Sequence, residues 1–130
     1  MATITFEVEG LRELQGLLER AGVDAVPAMR TALGSAANIV KNAAKIKTPW
    51  VSGNLRRSIH YRTFDLARGV EAIVGTDVEY ARRIEYGFAG RDSRGRLYNQ
   101  PAKPYLRPAL EENRERVIRE INEALQDLLP

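Results

Sequence analysis

The chain opens with alternating polar and apolar residues. Over residues 3–8, Ile4, Phe6 and Val8 fall on one side of the pattern and polar residues on the other. This period of two predicts a half-buried β-strand. After Gly10, leucines recur at helical spacing up to position 18, and Gly22 follows them. We therefore expect a first helix over about residues 10–21.

A longer apolar stripe lies between Asp24 and Thr48. Most of its members are small and recur at helical spacing: Met29, Leu33, Ala36, Ala37, Val40, Ala43 and Ala44. This pattern predicts a second helix that packs closely on a sheet, because small side chains permit a close approach. We expect Asp24 to cap the start of this helix and Pro49 to end it at Thr48.

The middle of the chain predicts a helical turn and a hairpin. Ser52-Gly53 is a turn signal, and residues 54–58 can form one helical turn after it. Residues 59–63 and 70–74 have the composition of two strands. Gly69, at the end of the segment between them, favours a bulged or longer hairpin loop.

The remaining pattern predicts a short helix from Asp77 to Gly87, a long irregular loop over 88–104 and a final helix from Pro104 to about Leu129. Loops longer than about 12–15 residues in a compact domain are usually functional or disordered, and we expect this one to be flexible. The 130 residues fit a single domain, 1–130. The order β-α-α-β-β-α-α predicts an α+β fold, in which an antiparallel sheet packs against helices and a long helix ends the chain.

Positive charge is concentrated in the middle of the sequence. Residues 45–107 contain 13 Lys and Arg against 6 Asp and Glu, a net charge of +7, whereas the rest contains 7 against 11, a net charge of −4. Sixteen of the 20 cations are arginine, whose planar fork suits carboxylates and phosphates. Three interpretations stay open: pairing between subunits, binding to nucleic acid, or a solvated face.

Composition argues against several classes of protein. The chain has no cysteine, so it has no disulfide, no thiolate nucleophile and no cysteine-bound zinc. No apolar run approaches the roughly 18 residues that span a bilayer, and the first residues lack the pattern of a signal peptide. We expect a soluble, unexported protein without a membrane partner.

No residue pattern predicts a catalytic centre. His60 has no second histidine or cysteine to complete a metal site, and we expect it to lie on the surface of a strand. The acids that a nuclease would need are scattered on predicted loops: Asp65, Asp77, Glu79 and Asp92. The glycines at 87, 90 and 95 lack the spacing of a phosphate-binding loop. We expect no enzyme activity, no cofactor, no metal and no small-molecule substrate.

Two sites call for a structural explanation. Glu85 falls at the end of the short predicted helix, where the helix dipole is negative, so it needs a positive partner. We expect an ion pair with Arg56, Arg57 or an arginine of a neighbouring subunit. Gly53 and Gly87 each lie at a predicted turn, and we expect both to have positive φ.

Three short blocks follow one another in fixed order. They are Thr48-Pro-Trp-Val-Ser-Gly-Asn-Leu-Arg-Arg-Ser-Ile59, Tyr80-Ala-Arg-Arg-Ile-Glu-Tyr-Gly87 and Gln100-Pro-Ala-Lys-Pro-Tyr-Leu-Arg-Pro-Ala-Leu110. Together they resemble the small neck and tail-completion proteins of long-tailed bacteriophages. The positions that carry the resemblance include Gly53, Asn54, Leu55, Arg56, Arg57, Glu85, Tyr86, Gly87, Pro104, Tyr105, Leu106 and Pro108. The sequence departs from the family pattern at Trp50, Ser52 and Tyr105.

The resemblance implies a structural virion protein that joins head to tail, in the neck or at the top of the tail. Proteins of this family form rings, commonly six-fold, around the DNA passage. It therefore implies self-association, contacts with neighbouring connector and tail proteins, and DNA that passes through the lumen without sequence-specific binding. It also implies assembly in the bacterial cytoplasm. The resemblance does not decide whether the protein is a neck protein or a tail terminator. It also leaves open whether the particle is a phage, a prophage product or a gene-transfer particle.

The expected loop at 88–104 is the candidate interface. The candidate contacts are four cations and the aromatic residue Tyr98: Arg91, Arg94, Arg96, Lys103 and Tyr98. We expect these residues to contact another subunit or a partner protein. The alternative is a nucleic-acid-binding module in which the cations of residues 91–103 contact phosphates.

Overall fold

The fold contains five strands and six helices in the part of the chain that is described. The computed structural model describes residues 2–6, 11–49, 53–66, 69–91 and 93–128. The strands are β1 (Ala2–Phe6), β2 (His60–Leu66), β3 (Gly69–Thr76), β4 (Phe88–Arg91) and β5 (Leu97–Gln100). The helices are α1 (Leu11–Arg20), α2 (Ala25–Lys47), α3 (Asn54–Ser58), α4 (Ala81–Tyr86), α5 (Leu106–Glu112) and α6 (Arg114–Gln126).

The structure contains two antiparallel sheets, where the sequence predicted one. Strands β1, β3 and β2 form a three-stranded sheet in that order, and β4 pairs with β5 in a separate hairpin. All three pairings are antiparallel. The predicted fold class is therefore confirmed.

Helix α2 is the centre of the core. Every residue of the predicted stripe is buried except Ala43, which is partly buried, and Ala25 and Ala32 are buried in addition. The buried residues are Ala25, Met29, Ala32, Leu33, Ala36, Ala37, Val40 and Ala44. Helix α2 packs on the three-stranded sheet on one side and on α5 and α6 on the other. Because its buried residues are mostly alanine, sheet and helices can approach it closely from both sides.

The three-stranded sheet has one face toward α2 and one face away from it. In β3, Val70, Ala72 and Val74 are buried in the core, and the residues between them point to the opposite face. In β2, Tyr61 lies beside Gly34 of α2. The register then places His60, Arg62, Phe64 and Leu66 on the face away from α2.

An ion pair joins α2 to the edge strand β2. The Arg30 guanidinium donates from Nε to Asp65 Oδ1 at 3.0 Å and from Nη2 to Oδ2 at 2.6 Å. Hydrogen bonding to Arg30 lowers the pKa of the Asp65 carboxyl below its usual range. Both side chains are about half exposed, so water screens the pair and its contribution to stability is small.

Several local predictions need correction. Asp24 occupies the N-cap position of α2 but makes no capping hydrogen bond through its side chain. Strands β2 and β3 pair as far as Leu66 and Gly69, so the bulged or longer hairpin loop is wrong. Leu17 of α1, part of the predicted apolar stripe, is 46% exposed, whereas Leu18 is fully buried. Val8 and Trp50 lie outside the described residues.

The segment 88–104 is not an irregular loop through its length. Phe88–Arg91 pairs with Leu97–Gln100 as an antiparallel hairpin, in the register Phe88↔Gln100 to Arg91↔Leu97. Gly95, with φ 78°, supplies a left-handed residue near the turn, and Arg91 Nη1 donates to its carbonyl oxygen at 3.0 Å. The strands are only four residues long, which is too short for alternation to separate them from loop.

The C-terminal helical segment is long, as predicted, and is interrupted once. It begins at Leu106, with Tyr105 in the N-cap position, and breaks at Asn113, where φ is −108° and ψ is 12°. The Asn113 Nδ2 group donates to the carbonyl of Ala109 at 2.8 Å, a local bond that competes with the continuous helix. Within the described residues, no helix has the length and apolar character needed to cross a membrane.

The alanine stripe of α2 generates a test of the packing. Ala36 is completely buried, so Ala36→Leu adds volume where there is no space. We expect the free energy of unfolding to fall by about 1–3 kcal/mol. Asn42→Leu, at an exposed position of the same helix, is the control and should change it by less than about 0.5 kcal/mol. Denaturant unfolding measures both; equal effects would contradict the packing described here.

Candidate functional site

Glu85 caps the N-terminus of α5. The residue lies in α4, is 6% exposed, and its carboxylate accepts three backbone N–H bonds. The Tyr105 N–H donates to Oε2 at 2.6 Å, the Leu106 N–H to the same oxygen at 3.1 Å, and the Arg107 N–H to Oε1 at 3.0 Å. The first N–H groups of a helix have no partner within it and are the positive end of its dipole. The Glu85 carboxylate, from another helix, supplies hydrogen-bond acceptors for these N–H groups and a negative charge for the positive end of the dipole.

This geometry corrects the expected partner of Glu85. The sequence suggested an arginine ion pair, but the hydrogen-bonding partners are backbone groups of α5. Of the proposed arginines, Arg57 donates from Nη2 to Asn54 Oδ1 at 2.5 Å, and Arg56 Nε lies 3.5 Å from Thr48 Oγ1. The negative charge of Glu85, at the C-terminal end of α4, is therefore compensated by the positive N-terminus of α5, which begins about 20 residues later in the chain.

Gly87 allows the two ends of the hairpin segment to meet. Its φ is 78°, as predicted, and a Cβ at this position would lie 2.9 Å from the carbonyl oxygen of Gln100 and 3.0 Å from the nitrogen of Ala102. Beside it, the Lys103 N–H donates to the Ile84 carbonyl at 2.8 Å. These contacts hold the start and the end of segment 87–103 together at the body of the domain.

Tyr105 completes the link between the second and third blocks. Its side chain is fully buried, and its hydroxyl donates to the Ala81 carbonyl at 3.3 Å. Burial raises the pKa of the Tyr105 hydroxyl above its usual range, with a further contribution from the charge of Glu85. Two side chains therefore link α4 to α5. Glu85 of α4 accepts from the backbone at the start of α5, and Tyr105 at the start of α5 donates to the backbone of α4.

The first block connects to the others through Thr76. Gly53, with φ 78° as predicted, precedes α3, and Leu55 of α3 is buried. Ser58 Oγ lies 2.5 Å from Thr76 Oγ1, which in turn accepts the Val78 N–H at 3.1 Å. The Ala81 N–H, at the start of α4, donates to the Val78 carbonyl at 3.1 Å, so this chain of hydrogen bonds leads from the first block to the second.

The candidate interface residues lie on the hairpin and on the segment that leads back from it. Arg91, Arg94, Arg96 and Lys103 are all exposed. The side chain of Tyr98 lies outside the described part of the structure, although its backbone pairs with Gly90. Arg91, Arg94 and Arg96 thus belong to the hairpin, whereas Lys103 lies at its base, where its N–H donates to the Ile84 carbonyl. Their role in an interface stays a prediction.

Sequence reasoning missed two residues of this region. Leu97 is 74% exposed on β5. Phe88 begins β4, and the Arg83 guanidinium lies over its ring, 4.1 Å from the centroid. In the sequence, Leu97 is an isolated leucine between arginine-rich and polar residues. This position gains significance only once the hairpin is known, because the hairpin leaves the side chain exposed.

Among the described residues, His60, Asp65, Asp77 and Glu79 belong to no cluster that could hold a metal ion, and Asp92 lies outside the described residues. His60 is partly exposed on β2, and its Nδ1 lies 2.9 Å from the Ser58 carbonyl oxygen. Over the described ranges, no group of three or more His, Asp and Glu side chains could hold a metal ion.

Removal of the Glu85 carboxylate should destabilise the domain. Glu85→Ala leaves three backbone N–H groups at a buried helix terminus without acceptors, and we expect a loss of about 3 kcal/mol in the free energy of unfolding. Glu79→Ala, at an exposed turn just before α4, is the matched control and should change it by less than about 0.5 kcal/mol. Thermal or urea unfolding compares the two. A loss below 1 kcal/mol in Glu85→Ala would show that the cap is dispensable.

Gly87→Ala separates steric contact from backbone strain. Gly95 has the same φ of 78°, but a Cβ there would meet no heavy atom within 4 Å. We expect Gly95→Ala to cost about 1–2 kcal/mol from strain alone. Gly87→Ala should cost more, because backbone atoms must also move apart. Equal unfolding midpoints for the two variants would mean that the close approach at Gly87 has no energetic importance.

The comparisons with known proteins give one family. The chain matches, over residues 12–87, the model of the family described as "Bacteriophage HK97-gp10, putative tail-component". The match covers more than half of the chain, includes the first two blocks, and confirms the phage resemblance inferred from them. Neither the curated proteins nor the solved structures give a significant match. The chain belongs to the HK97 gp10-like family of bacteriophage tail components.

Proposed function

We propose that this protein is a neck or tail-completion subunit that joins head to tail, and that it acts as a ring around the DNA passage. The observation that carries the proposal is the linkage of α4 to α5 through Glu85 and Gly87. It holds an exposed, arginine-rich hairpin away from the core on a fixed base. Such an element suits contact with a neighbouring protein.

The fixed base is what makes the hairpin suitable for assembly. An isolated two-stranded hairpin is marginally stable in water, so it gains from contact with another surface. Because both ends are held at the body, fewer conformations are lost when the hairpin binds. The family membership supports partners among other phage structural proteins, and a location in the virion.

The ring, its six-fold symmetry and the absence of catalysis are parts of the same proposal. A subunit that presents one surface and receives a different one makes a heterologous contact, which closes into a ring when the rotation permits. The hairpin cations would then contribute to the choice of partner more than to the affinity. In this proposal the protein joins head to tail through binding alone and catalyses no reaction.

A second candidate function is binding to nucleic acid. Its support is the set of cations on the hairpin segment, which any phosphate backbone would attract. The exposed apolar Leu97 in the same hairpin favours a protein partner, since contacts to phosphates need no aliphatic side chain at the centre. We therefore prefer the assembly function.

The triple variant Arg91→Ala, Arg94→Ala, Arg96→Ala tests the function in particles. All three residues are exposed, so we expect each substitution to change the free energy of unfolding by no more than about 0.5 kcal/mol. Particles assembled with the variant should accumulate as filled heads and separate tails, counted by electron microscopy. Replacement of Arg114, Arg116 and Arg119 on α6 by alanine is the control with equal charge loss.

A contrary result is also defined. Normal yields of joined particles, together with a salt-dependent loss of affinity for duplex DNA, would replace the assembly function with nucleic-acid binding. Unjoined particles with both triple variants would show that net charge matters and that the hairpin does not.

A further inference from the structure

The face of the three-stranded sheet that points away from α2 is open. Thr3 of β1 and Arg62, Phe64 and Leu66 of β2 are exposed on this face. In the described part of the chain, the helix that contacts the sheet most extensively is α2, which packs on the other face. Phe64 is 43% exposed and Leu66 47%. A sheet face with adjacent apolar side chains in water is the kind of surface that protein partners cover.

A cavity lies in this open face. Its volume is about 90 Å³, and its walls are mainly apolar. Phe64 and Ile73 are its large apolar lining residues, and the rest of the lining is Thr3, His60, Arg62, Gly75, Thr76 and Asp77. It is shallow and small, of the scale that admits one aliphatic side chain and not a drug-sized ligand.

The hairpin carries an aliphatic side chain with no cover. Leu97 is exposed near the turn of the hairpin and is flanked in sequence by Arg96 and, three residues before it, Arg94. Within the described residues, β4 and β5 make no extensive contact with any other element than each other. Leu97 is thus presented on an extended arm.

Charge favours the meeting of these two surfaces. Asp77 lines the cavity and Glu71 lies on the same face, opposite Phe64. Arg62 also lines the cavity, so among the described residues of this face the acids outnumber the cations by two to one. The hairpin arm is strongly basic. An arginine-flanked leucine and an acid-flanked apolar cavity on the same chain are complementary, and a projection that fits a surface site elsewhere on the same molecule produces a heterologous contact between copies.

We propose that Leu97 of one copy enters the cavity formed by Phe64, Ile73 and Thr3 of a second copy. The hairpin then covers the open sheet face, and Arg94 and Arg96 lie near the carboxylates of Glu71 and Asp77. Repetition of the contact propagates in one direction and supplies the interface of the ring. The inference rests on the proposed self-association and gives it a particular pair of surfaces.

Cysteine trapping tests the contact directly, because the chain has no cysteine of its own. Leu97→Cys and Thr3→Cys are made as two single variants and mixed under oxidising conditions, both as purified protein and in assembled particles. Cysteine remains a small apolar residue at position 97, and Phe64 and Ile73 are kept. We expect an intermolecular disulfide in the mixture, and a ladder of multimers when one chain carries both substitutions.

Ile46 provides the matched control. It is an exposed aliphatic residue of α2, outside the sheet face. Leu97→Cys mixed with Ile46→Cys should give no more cross-linked product than random collision does. A second measurement uses Leu97→Ser, which should raise the dissociation constant for self-association about ten- to a hundredfold, as expected for one buried leucine. Ile46→Ser should leave the constant unchanged.

The outcomes separate the interface from the function. If the protein self-associates normally but neither solution nor particles give the 97–3 disulfide, this interface is wrong while the ring stands. If the protein neither self-associates in solution nor is required for joined particles, the proposed function fails as well. If Leu97→Ser leaves self-association intact and weakens binding to duplex DNA, the hairpin contacts nucleic acid and the proposal is overturned.

Discussion

The architecture depends on one buried carboxylate. Glu85 satisfies the N-terminus of α5 and so fixes where the C-terminal helices begin, which in turn positions the residues of α5 and α6 that pack on α2. A side chain 20 residues away does the work that a local serine or aspartate usually does at a helix start. The choice has a structural benefit: a local cap would stabilise α5 alone, whereas this one also determines the position of α5 relative to α4.

The sequence predicted the elements whose signals are local and repeated. The first strand, the small-residue stripe of α2 and the turn glycines at 53 and 87 all follow from periodicity or from backbone stereochemistry. The structure contains a strand at Ala2–Phe6, the buried stripe and positive φ at both glycines. The family was also recoverable, because its blocks are short and ordered. These features need no knowledge of which segments meet in space.

The errors concern contacts between distant segments. Nothing near Glu85 in the sequence indicates that its partners are the N–H groups of residues 105–107, because backbone donors have no sequence signature. The hairpin at 88–100 was missed because four-residue strands with glycine and arginine have no measurable alternation. The bend at Asn113 was missed since the apolar period continues through it, and a side-chain bond to Ala109 decides the break. Leu97 acquired significance only when the hairpin exposed it.

The close backbone approach at Gly87 has a consequence for how this protein can change. Residues 87 and 102 lie close together, so the hairpin leaves the body of the domain and returns to it at almost the same point. The positions of its two ends therefore do not depend on its length. Residues could be added to or removed from the hairpin with a loop-closure cost that grows only slowly with length, and without disturbance to α4 or α5. The core and the reach of the arm are therefore independent variables, so one scaffold could be fitted to neighbours at different distances.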